Sequence, residues 1–207
     1  MKLDVNPTRM ELLRLRKRLA LARRGHKLLK DKQDELMKRF MGLVHQIKDL
    51  RLSVERELEQ AWKRFLVARA VGGSEVVEAA VSMPTRKTTV EVRKQQIMNV
   101  AVPVFRLATE GKLASYGLAT TPAELDTALV AMERVLGRMV ELASKEKALE
   151  LLGDEIERTR RRVNALEYVL IPSLEETIRY ISMKLSEMER GNLTRLMRVK
   201  DIVRGRT

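Results

Sequence analysis

Residues 142–188 read LASKEKALELLGDEIERTRRRVNALEYVLIPSLEETIRYISMKLSEM, and the spacing of their apolar side chains decides the fold. Apolar residues recur every seven positions at Leu142, Leu149, Ile156, Val163 and Leu170. A second row, Leu152, Thr159 and Leu166, threads between them at offsets of three and four. This is the seam of a coiled coil. A long helix with one narrow apolar stripe cannot bury that stripe alone, so the chain must supply a partner of similar length.

The N-terminal third supplies it. Steps of three and four run through Leu12, Leu15, Leu19, Ala22, His26, Leu29, Gln33, Leu36 and Phe40. They continue through Leu43, Ile47, Leu50, Val54, Leu58, Ala61, Phe65 and Ala68. The mean step is about 3.5 residues, the period of a left-handed supercoil. Only His26 and Gln33 interrupt the apolar row, and both read as polar residues that set register. Two long seams separated by a short middle segment predict an antiparallel two-helix coiled coil, predominantly all-α, with a compact segment at its bend. Matching the ends places residue i opposite a residue near 195 − i, so that Leu29 faces Leu166 and Phe65 faces Leu129. The same register sets Arg160, Arg161 and Arg162 against Asp31, Asp34 and Glu35, with at least one ion pair expected between the helices.

The boundaries follow from breakers. Asn6-Pro7 reads as N-cap and first helical position, and the first helix, with the segment before it, occupies residues 1–71. Gly72-Gly73-Ser74 ends it. The middle segment, 72–121, opens with a short helix from Ser74 to about Val81. Alternation then changes to period two: Thr88, Val90 and Val92, and later Val100, Val102 and Val104. This predicts a β-hairpin over about 85–105, joined at Lys94-Gln95-Gln96, with Pro103 confining its strand to an edge or to a short strand. Residues 106–120 read as loop. Thr121-Pro122-Ala123-Glu124 has the form of a capping box and opens the second long helix and basic tail, 122–207. In that helix the seam loosens to Leu166, Leu170, Leu174 and Ile178, three consecutive fours. A run of fours unwinds a supercoil and Pro172 interrupts a helix, so a bend or straightened section is expected about two turns after Val163. Trp62, beside Ala61, is expected to pack against the coil.

Of the 207 residues, 41 are Lys or Arg and 28 are Asp or Glu, a net charge of +13. The excess sits at the two ends. Arg14, Arg16, Lys17, Arg18, Arg23 and Arg24 crowd the first, and Arg190, Arg195, Arg198, Lys200, Arg204 and Arg206 the last. An antiparallel hairpin would superimpose them as a basic tip suited to an acidic or carbonyl-lined sleeve. Nucleic acid is disfavoured as the partner, because aromatics are only 3% and no stacking platform or reading helix is evident. With no cysteine there is no thiolate metal site. Two isolated histidines, His26 and His45, make no zinc site, and no phosphate loop or local nucleophile–base pair occurs. No cofactor is expected. The N-terminus lacks the apolar stretch of a signal peptide, and no apolar run nears the roughly 18 residues of a membrane span. The expected location is therefore the cytoplasm.

Two stretches go beyond generic coiled coil: NPTRMELLRLRKRLALARRGHKLLKDKQDELMKRF, residues 6–40, and EIERTRRRVNALEYVLIPSLEETIRYI, residues 155–181. Together they closely resemble the D subunit of the V-type and archaeal-type rotary ATPases. The pairing of Asn6-Pro7-Thr8-Arg9-Met10 with Thr159 through Glu167 and with Ile171-Pro172 carries the resemblance, in which Arg160, Arg161, Arg162, Asn164 and Pro172 read as register positions. The resemblance implies a non-catalytic central stalk that couples ATP hydrolysis or synthesis to rotation of a proton- or sodium-translocating membrane rotor. It implies that the basic tip lies inside a hexamer of A and B subunits. The lower coil and hairpin would meet the small F subunit of the stalk and a funnel-shaped subunit leading to the membrane rotor, peripheral to the membrane. The alternatives are a nucleic-acid-associated coiled coil, disfavoured by the low aromatic content, and a scaffold coiled coil, which leaves the strand pattern at 88–104 unexplained.

Overall fold

The computed structural model describes residues 5–117 and 119–205, so Arg206 lies outside the described residues. The elements in chain order are α1 (Arg9–Gly72), α2 (Ser74–Ser82), β1 (Lys87–Ile97), β2 (Val100–Glu110), α3 (Ala123–Ala165), a π-helical turn (Leu166–Leu170) and α4 (Ile171–Arg204). The fold is thus predominantly α, built on long paired helices with one two-stranded antiparallel sheet. The chain forms two compact units, one of residues 1–35 with 156–207 and the other of residues 36–155.

The first unit begins one cap later than Asn6-Pro7 suggests. The Thr8 hydroxyl accepts the Glu11 N–H at 3.2 Å, and the Leu12 N–H reaches the Thr8 carbonyl. Thr8 is therefore the N-cap and Glu11 the N3 residue, the Thr-x-x-Glu pattern of a capping box. Its core is Leu15 and Ala22 of α1 against Leu174 and Ile181 of α4, with Leu12, Leu19, Ile171, Ile178 and Leu185 packed around them. The helices run antiparallel. Arg9 pairs with Glu189, Arg23 with Glu175 at 2.7 Å, and His26 Nε2 lies 3.3 Å from Glu167 Oε2. The first two pairs sum to 198 rather than 195, so α4 is displaced along α1 relative to the even register.

The loosened spacing around Pro172 has a definite form. Leu166–Leu170 make a π turn, in which the Ile171 N–H bonds the Leu166 carbonyl five residues back. A π turn is one residue inserted into an α-helix. The seam therefore skips from Val163 to Ile171, eight positions instead of seven. Leu170, expected on the seam, is 40% exposed, while Ile171 packs into the core. The extra residue also shifts the register in the observed direction. Pro172 follows directly at the start of α4, where its missing N–H costs least.

In the second unit α1 packs antiparallel to α3. Val54, Ala61 and Val135 form one cluster with Leu50, Leu58, Ala131 and Met132. Ala68, Leu125 and Val77 of α2 form another, joined by Phe65, Ala80, Tyr116 and Leu129. Phe65 and Leu129 share this cluster, as the register expects. Two adjacent glycines make the α1–α2 connection. A Cβ on Gly72 would stand 2.7 Å from the Pro122 ring, and Gly73 caps α2 at φ +80°, a conformation open to glycine. The Thr121 hydroxyl donates to the Gly117 carbonyl, and α3 starts at Ala123. Trp62 is 51% exposed, touching Phe65 edge-to-face at 5.8 Å rather than packing into the coil.

The hairpin is longer than its alternation suggests. Eleven unbroken pairs run from Lys87↔Glu110 to Ile97↔Val100. Lys94-Gln95-Gln96 is strand, and residues 106–110, expected as loop, are strand as well. The turn is Met98-Asn99, both at positive φ (48° and 70°), a two-residue turn of type I′ that matches strand twist. The paired run extends past the obvious valines because cross-strand pairing, not propensity, decides it.

Candidate interaction surfaces

The basic residues do not converge as the sequence suggests. α1 starts at Arg9 opposite Glu189, so residues 190–204 of α4 continue past the last pair, about 22 Å at 1.5 Å per residue. Arg190, Arg195, Arg198 and Lys200 lie on this extension, and every residue of it is exposed. Arg14, Arg16, Lys17, Arg18, Arg23 and Arg24 lie beside the preceding part of α4 instead. The superposition fails because α4 runs on to Arg204, past the start of α1 at Arg9, not because the helices are parallel. The even register already sets Arg190 opposite Val5, and the displacement shortens the overhang. Several cations are already engaged: Arg23 with Glu175, Arg14 with Glu11 at 3.7 Å, and Arg24 Nε with the Ala20 carbonyl. Arg16, Lys17 and Arg18 are exposed.

Between α1 and α4 the polarity of the pairs is the opposite of that expected for Arg160–Arg162. Arg9 and Arg23 of α1 meet Glu189 and Glu175 of α4, although in the second unit Arg138 of α3 does meet Glu57 of α1. Arg161 pairs with Glu157 one turn back on its own helix, and Arg160 and Arg162 are exposed. Asn164, expected at a register position, is exposed as well. His26 does occupy the edge of the seam, half-buried against Glu167, and Gln33 is half-buried.

Sequence patterning missed the exposed apolar side chains. Leu193, Leu196, Met197, Val199, Ile202 and Val203 are all more than half exposed on the α4 extension, interleaved with its basic residues. Tyr168 (72% exposed) and Val169 stand out from the π turn. On α1, Met10, Leu13, Leu21 and Leu28 face away from the seam. The signal was available: these leucines fall outside the three–four series that defines the buried stripe. A stable monomer seldom leaves so many large apolar groups exposed along one basic helix as the α4 extension does.

In the second unit the hairpin is held on the helices by three polar contacts. The Phe105 N–H donates to Ser144 Oγ at 2.9 Å, and the Ser144 hydroxyl donates to the Pro103 carbonyl at 3.3 Å. Counting from Ile97↔Val100, Lys94↔Pro103 and Val92↔Phe105 are non-hydrogen-bonded pairs, so these groups lie on the outer edge of β2. The missing N–H of Pro103 therefore costs the ladder nothing. At the base of the hairpin Arg86 pairs with Glu133. This hydrogen bond lowers the Glu133 pKa and raises that of Arg86. Between hairpin and helices lies an apolar cleft of about 290 Å³ bordered by Leu58, Leu107, Leu129, Met132 and Leu136. Below it, Tyr116 donates to Asp126, and burial first, then this hydrogen bond, pushes its phenol up to about 12. Among the described residues no group of three His, Cys, Asp or Glu side chains is placed to hold a metal. Likewise, no helix is long and apolar enough to cross a membrane.

The family model for the ATP synthase D subunit matches residues 11–201. A V-type ATP synthase D subunit of Acetivibrio thermocellus is 58% identical over 203 residues, covering 96% of this chain and 91% of the relative. The corresponding protein of Clostridium botulinum (strain Langeland) is 55% identical over 208 residues, covering 98% and 96%. That of Thermoanaerobacter sp. (strain X514) is 53% identical over 203 residues, covering 97% of each.

Proposed function

The chain belongs to the family of ATP synthase D subunits, and on that premise we propose that it is the non-catalytic rotor shaft of a V-type ATP synthase. In this reading it couples ATP turnover in a hexamer of A and B subunits to rotation of a proton- or sodium-translocating membrane rotor. The observation that carries the reading is the α4 extension: fifteen helical residues, 190–204, exposed, cationic and apolar at once, with no helix beside them among the described residues. A helix of that composition is costly to leave in water. It is suited to a close-fitting sleeve whose walls offer acidic or carbonyl oxygens and apolar contacts. Arg14, Arg16, Lys17 and Arg18 extend the same cationic surface along α1.

The paired helices suit torque. An antiparallel pair presents a different face in each direction, so a surrounding hexamer would meet different contacts at each of its catalytic sites. Coupling requires that kind of differential contact. The second unit, with its hairpin and exposed Trp62, would meet the F subunit and the funnel-shaped subunit, placing the chain peripheral to the membrane in the soluble sector. The experiment is neutralisation of Arg190, Arg195, Arg198 and Lys200 to Gln in the reconstituted complex. The reading expects weaker assembly with the hexamer and ATP hydrolysis that no longer drives ion transport. Parent-like assembly and coupling would overturn it.

A further inference from the structure

The two edges of the hairpin differ. The β2 edge carries Pro103 and is covered by Ser144 of α3. The β1 edge carries no proline and no bulge, and its residues from Lys87 to Gln96 are all exposed. An open edge of this length is a template for another strand. The ladder fixes which groups it offers. Thr88, Val90, Val92, Lys94 and Gln96 lie at non-hydrogen-bonded positions opposite β2, so their N–H and C=O groups point outward.

From this edge we infer that two free copies of the chain pair β1 to β1, antiparallel and centred on Val92. An outward residue of one copy must meet an outward residue of the other, so the permitted registers move in steps of two. Centred on Val92, Val90 meets Lys94, Thr88 meets Gln96, and about ten backbone hydrogen bonds form. Glu91 then stands opposite Arg93 of the second copy, and Arg93 opposite its Glu91. Both are close, non-hydrogen-bonded pairs, where side chains interact most strongly. Glu91 and Arg93 already lie on one face, 3.7 Å apart within a single copy. The neighbouring registers are disfavoured: one sets Glu91 against Glu91, the other Arg93 against Arg93. Charge complementarity therefore selects a second copy and a single register. A single strand edge buries less than the roughly 1,200–2,000 Å² of a stable interface, so the dimer is weak and belongs to the unassembled chain.

Sedimentation equilibrium of the full chain, from roughly 10 to 500 µM, tests the association. The expected result is a monomer–dimer equilibrium weakened at least about tenfold by Glu91→Arg or by Arg93→Glu, which create like-charge pairs. The double variant, Glu91→Arg with Arg93→Glu, restores opposite pairs and should return the parent affinity. A second measurement reads the register. The chain has no cysteine, so Val92→Cys introduces one thiol. Paired Cα atoms at about 5.5 Å are within disulfide reach, and mild oxidation should link the copies. Val90→Cys places its copies about 14 Å apart along the strands at 3.4 Å per residue and should not link them. A monomer throughout the range, single variants that dimerise as the parent does, a double variant that stays monomeric, or equal cross-linking of both cysteine variants would each overturn the inference.

Discussion

Ser144 shows how one side chain can decide the placement of a whole element. Its hydroxyl meets both the Phe105 N–H and the Pro103 carbonyl on the outer edge of β2. Ser144→Ala leaves a part-buried N–H without its partner, a loss of about 1–3 kcal/mol. Amide exchange at Phe105 should rise while the helices keep their protection. Unchanged exchange there would mean the hairpin is held by other contacts. Thr8→Ala removes the α1 cap and should cost about 1 kcal/mol in thermal unfolding. Tyr116 gives a pH dependence with a definite sign. Its folded pKa is raised from the ordinary value near 10 to about 12. The unfolded chain therefore releases its proton first, and the stability associated with the neutral phenol is complete below pH 10 and lost as pH rises toward 12. Tyr116→Phe should flatten that alkaline slope, which a thermal-melt series from pH 9 to 12 would read.

At the scale of elements, the seams were legible because burial repeats at a fixed period, and helices this long leave that period little ambiguity. Leu15, Ala22, Leu36, Ile47, Val54, Ala61 and Ala68 are all buried as the three–four series requires. What escaped the sequence depends on contacts between elements. The overhang of α4 was within reach of the register, which sets Arg190 opposite Val5, ahead of α1. The shift of the pair sums from 195 to 198 was not, because periodicity within one helix does not encode its displacement along a partner. The turn at Met98-Asn99 carries no Gly, so its φ values had no strong local signal, and the strand beyond Phe105 owes its form to pairing. The π turn was half legible: three consecutive fours marked the place but read as a bend or straightened section, without the inserted residue that gives it its form. Its account makes a sharp prediction. Deleting Val169 together with Pro172→Ala should give a continuous α-helix with Val163 and Ile171 seven positions apart and both seams in phase, with unfolding temperature near or above that of the parent. Deleting Thr159 instead puts everything on one side of the cut about 100° out of phase and should lower it by many degrees. Equal loss in both would refute the inserted-residue account.

At the scale of the whole molecule, charge is divided unevenly. The first unit holds 23 Lys or Arg against 12 Asp or Glu, and the whole chain 41 against 28, so nearly all the excess positive charge is in that unit. Intramolecular acids neutralise part of it along α1, and the α4 extension concentrates what remains. Salt should therefore weaken association of the first unit with its partners more than association of the second. The absence of cysteine makes any single added thiol a unique attachment point. The central claim, that this chain is the turning shaft, is tested most directly by watching it turn. A cysteine at the exposed Val90 position would carry a gold particle, with the catalytic hexamer of the reconstituted complex fixed to a surface and ATP supplied. The account predicts stepped rotation of the particle in one direction, with step rate following ATP concentration; a particle that stays fixed relative to the hexamer while ATP is hydrolysed would contradict it.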